Sequence, residues 1–169
     1  MKMTSAEANK TLKKLNDEYV ALLNREERSK EFNAAMGEDV ESVRPAYEYS
    51  NVQVDLDNLE RRIRKIKHAI NIFNTTTMVD GFDMTVDEML VYIPQLTKRR
   101  AKLADMSSKL PKARVEEHYG RQSNIIDYTY INYNLEGVAR DLELVTDELS
   151  KAQIALDVLN NTAIIEFEY

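Results

Sequence analysis

Two segments of this chain carry an unbroken alternation of three- and four-residue spacings between apolar residues. The first series is Tyr49, Val52, Leu56, Leu59, Ile63, Ile66, Ile70 and Phe73. The second is Leu135, Val138, Leu142, Val145, Leu149, Ala152, Leu156 and Leu159. On an α-helix this spacing gathers the apolar side chains on one narrow stripe, the seam along which helices pack side by side. A strand would need a period of two, which neither series has. Long amphipathic helices are therefore the starting point for any fold.

Local signals add two more helices. Thr4 and Glu7 have the spacing of a capping box and open a helix over 5–36. Its stripe is Leu12, Leu15, Tyr19 and Leu22, with Phe32 and Met36 as the last apolar members and Gly37 as the stop. An acidic connector over 38–45 ends in Pro45, a residue suited to the first turn of the next helix, 46–73. Thr85 and Glu88 form a second capping-box pair at the head of a helix over 85–109. Its stripe is Met89, Ile93, Leu96, Leu103 and Met106. Pro94 either kinks this helix or starts its main part. Arg100 occupies a stripe position, where a partly buried guanidinium would need a partner. The last helix spans 134–160 and stops at Asn160-Asn161.

Asp80-Gly81 signals a hairpin across 76–84, with Gly81 at positive φ. The β-branched and aromatic run 124–133 and the partly alternating 163–169 read as strands, and 112–123 as a polar loop. The expected fold is a single mainly α domain over 1–169. It is an antiparallel four-helix bundle of long coiled-coil-like helices with a small β element at one end, where the hairpin and the strand before the last helix meet. The helices over 46–73 and 134–160, with ideal stripes, are expected to form its rigid spine.

Composition narrows the function. A net charge of −6 argues against a general nucleic-acid binder, which neutralises phosphates with Lys and Arg. The absence of cysteine excludes disulfides, thiolate metal sites and a Cys nucleophile. No apolar run approaches the ~20 residues of a membrane span. The first residues lack the apolar region of a signal peptide, so a cytoplasmic protein is expected.

Candidate chemistry is sparse. Basic runs at Arg61–His68 and Lys98–Lys102 suggest an anion site between two helices, or ion pairing with Asp141, Glu143, Asp147 and Glu148 of the last helix. Asn71, Asn74 and Thr76 end a helix and either cap it or, with Arg121 and Ser123, line a polar pocket. Tyr128 and Tyr130 share one face of a strand, as a stacking platform or as packing. With Arg99 and Arg100 these residues are the candidate ligand set. His68 and His118 are the only histidines, and no metal-ligand spacing accompanies them. There is no nucleophile–base set and no glycine-rich phosphate loop, so no catalytic residue and no cofactor is assigned.

Ile70-Asn71-Ile72-Phe73-Asn74-Thr75-Thr76 with Gly81 and Thr85, Arg121-Gln122-Ser123 with Ile125-Ile126, and Leu156-Asp157-Val158-Leu159-Asn160 together carry a resemblance. The chain resembles a family of small helical bacterial proteins often labelled septicolysin. Asn161 stands where that family often has Trp, and Tyr92-Ile93-Pro94 where it usually has an Arg-Asp pair. The resemblance implies a mostly helical fold. The label implies a membrane-active cytolysin, for which the residues offer neither a long apolar segment nor a strongly apolar exposed helix. The expected function is a non-enzymatic bundle acting through self-association or protein contacts. The alternative is a binder that sequesters a small anionic, nucleotide-like ligand.

Overall fold

The computed structural model describes residues 1–115 and 127–168. Its elements in chain order are β1 (Lys2–Thr4), α1 (Ser5–Ser29), α2 (Val40–Val43), α3 (Tyr49–Thr76), α4 (Val86–Ser107), β2 (Lys112–Arg114), β3 (Tyr128–Tyr130), α5 (Leu135–Thr162) and β4 (Ile164–Glu166). The chain is mainly helical with short antiparallel strands.

Both capping boxes form. The Thr4 hydroxyl accepts the Glu7 N–H, and Thr85 accepts that of Glu88, while each glutamate carboxylate reaches back to its threonine N–H at 2.8 and 2.7 Å. Asn134 caps α5 by accepting from Glu136 and Gly137. These local bonds satisfy N–H groups that a helix start leaves unpaired.

The stripes form the core. Ile66 of α3, Met89 of α4, and Ala152 of α5 are completely buried beside Leu15 of α1 and Leu149 of α5. Tyr49, first in its series, is exposed. The helices pack most extensively in two pairs, α1 with α3 and α4 with α5, and less extensively across α3–α4 and α1–α5. Each main pair is antiparallel: Tyr19 and Glu26 of α1 meet Glu60 and Gln53 of α3, and Tyr92 and Met106 of α4 meet Glu148 and Tyr133 at α5. The helices with ideal stripes, α3 and α5, do not pack on each other; each takes a neighbour with an imperfect stripe.

Several boundaries move. α1 stops at Ser29 rather than 36, because the polar run from Arg25 offers no apolar residue until Phe32, which lies under the Arg44 guanidinium at 5.2 Å. Gly37, at φ +88°, belongs to a separate turn and not to a helix end. The connector contains α2, and Pro45 stays outside α3, which starts at Tyr49. α3 runs to Thr76, where the Thr77 N–H donates to the Phe73 carbonyl and the Thr75 and Thr76 hydroxyls fold back onto the Asn71 and Ile72 carbonyls of their own helix. α4 continues through Pro94, whose missing N–H falls on an exposed face beside Leu90 and Val91.

The β prediction is corrected in placement. Gly81 takes φ +78° as expected, but the 76–84 turn holds only a single bridge, Met78 to Thr85, and pairs with no strand. β4 pairs with β1, Met3 opposite Ile165, beside the ends of α3 and α5. β3 pairs with β2, Ala113 opposite Thr129, inside the stretch expected to be loop. Antiparallel α4 and α5 put the 76–84 turn and β3 at opposite ends, so two ribbons replace one β element. Residues 124–126 of the expected strand lie outside the described residues.

Candidate functional site

Among the described residues the core contains one buried polar side chain, that of Ser5, and no buried polar side-chain atom lacks a hydrogen bond. No group of three His, Asp or Glu side chains converges on a common point among them. Chemistry is therefore confined to the surface.

The candidate ligand residues fall into separate groups. Asn71, Asn74 and Thr76 lie at the end of α3. The cap bond there is made by the Thr77 N–H, which donates to the Phe73 carbonyl, while the Thr75 and Thr76 hydroxyls donate back to the Asn71 and Ile72 carbonyls one turn earlier. Tyr128 and Tyr130 lie beyond the far end of α4, with the Lys112 ammonium 4.0 and 5.4 Å from their ring centres. Both rings are exposed, so this is a solvated cation–π cluster. Arg99 and Arg100 stand on α4 between these groups. Arg121, Ser123 and His118 lie outside the described residues. Arg100 is exposed rather than partly buried.

Arg62 aside, no residue of the basic runs forms an ion pair with a described residue of the last helix. Arg64 meets Glu60 of its own helix at 3.5 Å. Arg61, Lys65, Lys98, Arg99, Arg100 and Lys102 form no ion pair with any described residue. Glu148 instead accepts the Tyr92 hydroxyl at 3.3 Å. Burial first, and then this carboxylate, push the Tyr92 phenol above its ordinary value, while Arg99 pulls the other way. Because α3 and α4 are joined by the tight 77–85 turn, residues 61–65 and 98–101 fall at matching heights. The two runs make one basic band.

Below that band a groove of about 460 Å³ opens between α3 and β4. Lys65, His68, Ile72 and Thr76 form its helix wall, and Ile164 to Glu168 its other wall, with Phe73 at its base. The sequence places Lys65 and His68 in one basic run and Thr76 in a separate polar helix end. The groove was illegible there because the closing strand had no assigned partner. The partial alternation over 163–169 was its trace.

No family model matches this chain, and no curated protein does. The chain is similar to a functionally unknown conserved protein from Corynebacterium diphtheriae whose crystal structure is known. The two share 19% identity over 98% of this chain and 100% of the other, with a TM-score of 0.63. That likeness concerns the fold alone.

Proposed function

We propose that the chain is a non-enzymatic, antiparallel four-helix bundle that acts through protein contacts, self-association first among them. The ring of contacts α1–α3–α4–α5–α1 supports the bundle reading. One observation carries the contact reading. The outward face of α5, opposite its core stripe, presents Leu144, Ile154 and Val158 at 67%, 61% and 58% exposure. Single exposed apolar residues are ordinary. Three along one helix face, interleaved with Asp147 and Lys151, make a stripe of the kind that partners cover. The cytoplasm is the expected compartment.

Light scattering across a wide concentration range tests this. The mass should exceed that of the 19.6 kDa monomer, and Leu144→Lys with Ile154→Lys should bring it down to the monomer. A strict monomer at every concentration overturns self-association.

A second reading, binding of a small anionic, nucleotide-like ligand, draws on the basic band of α3 and α4, in which Arg61, Lys65, Arg99 and Arg100 form no ion pair with a described residue. A nucleotide that raises the melting temperature of the protein, but not that of Arg100→Ala, would support it. The resemblance to septicolysin proteins enters for the helical fold alone, and no dye release from liposomes is expected.

A further inference from the structure

The backbone of β4 is half used. Met1 and Phe167 exchange both bonds, the Met1 ammonium donating to the Phe167 carbonyl at 2.6 Å and the Phe167 N–H to the Met1 carbonyl at 3.1 Å. In an antiparallel ladder such pairs alternate with pairs whose backbone groups point outward. With Met3 opposite Ile165, the register turns the N–H and C=O groups of Ile164 and Glu166 away from β1. The groove borders this free edge. Its strand wall is five consecutive residues, Ile164 to Glu168, as an edge presents, whereas a strand face would present alternate ones.

The helix wall gives the groove its chemistry. From Lys65 to Thr76 it runs about 16 Å at the rise of an α-helix, the length of roughly five extended residues. Lys65 and His68 stand at one end, and Ile72 and Phe73 toward the other. Of the two carboxylates in its lining, Glu166 is engaged by Lys2 at 2.5 Å, which holds it below its ordinary range, and Glu168 forms no ion pair with a described residue. Lys65 forms no ion pair with a described residue.

We propose that this groove takes an extended peptide of about five residues, which adds to the free edge of β4 as a third strand. Its acidic residues meet Lys65 and His68, and its apolar residues cover Ile72 and Phe73. Main-chain bonds to Ile164 and Glu166 supply the recognition common to strand addition, and the side chains supply the preference. This surface is separate from the outward face of α5, so either can fail without the other.

The probe is the acetylated, amidated pentapeptide Glu-Val-Glu-Val-Thr, titrated into the isotope-labelled full chain and followed by amide chemical shifts and hydrogen exchange. The Ile164 and Glu166 amides should shift and gain protection. Ile164→Pro removes one outward N–H without touching the β1 ladder and should weaken binding at least tenfold, whereas Ile164→Val should bind as the natural chain does. Lys65→Glu should weaken binding several-fold. A peptide N-methylated on its edge-facing amides should fail against the natural chain, which keeps the test decisive if Ile164→Pro does not fold. Equal binding of the methylated peptide, or shifts confined to other residues, overturns the proposal. So does the appearance of the same shifts when the protein is concentrated alone, which would assign the edge to a second copy.

Discussion

Thr4 and Thr85 do the same work at two helix starts, and both were legible because a capping box is a contact across three residues. Thr4→Ala should cost about 1 kcal/mol, read as a lower urea midpoint with an unchanged slope. The second box also carries a pH signature. Hydrogen bonds from the Thr85 backbone and then its hydroxyl hold the Glu88 carboxyl below its ordinary value. A carboxyl depressed in the folded state contributes stability that is present above its unfolded value and lost as pH falls through the folded one. The melting temperature should therefore drop on acidification through the carboxylate range, and Thr85→Ala should flatten part of that drop. Arg100 was misread for the opposite reason. Its stripe position was visible, but its exposure depends on how closely the neighbouring helices approach α4, which no local pattern encodes.

At the scale of elements, periodicity gave the existence of every long helix and misplaced several ends. Helix ends are set by single bonds, such as that of the Thr77 N–H to the Phe73 carbonyl, that compete with weak propensities. Pro94 shows the limit of a local rule. It removes one helix bond and crowds the preceding turn, yet α4 continues because the buried residues on both sides, Met89 and Leu96, hold the two halves in line. Pro94→Ala should raise stability by about 1–3 kcal/mol in a denaturant titration, since it restores the bond and relieves the clash. At Ile66, fully buried in α3, truncation should act strongly in the other direction. Ile66→Ala is expected to cost roughly 2–5 kcal/mol, depending on how far the neighbouring helices close the gap. A cost below ~1 kcal/mol would mean that α3 is not anchored at this point.

For the whole molecule, a stripe states that a helix has a seam but not which helix will fill it. The ideal stripes of α3 and α5 are not set against each other: α3 packs chiefly on α1 and α4 on α5, although the tightest turn joins α3 to α4. The same blindness hid β1. Lys2–Thr4 is too short to announce itself as a strand, and its partner lies at the far end of the chain. The candidate groove was illegible on that account, because one of its walls exists only once β4 has been set beside α3.

The β1–β4 ribbon has a kinetic meaning. Its terminal pair, Met1 and Phe167, is 166 residues apart in sequence, so closing it early would sacrifice the freedom of nearly the entire chain for a handful of bonds. The helix pairs offer nearer contacts, and once they dock they bring the two strands within reach. The ribbon then acts as a completion mark. In pulsed hydrogen exchange during refolding, the Ile165 amide should become protected after those of Ile66 and Leu149, and Met3→Gly should accelerate unfolding while leaving the refolding rate nearly unchanged.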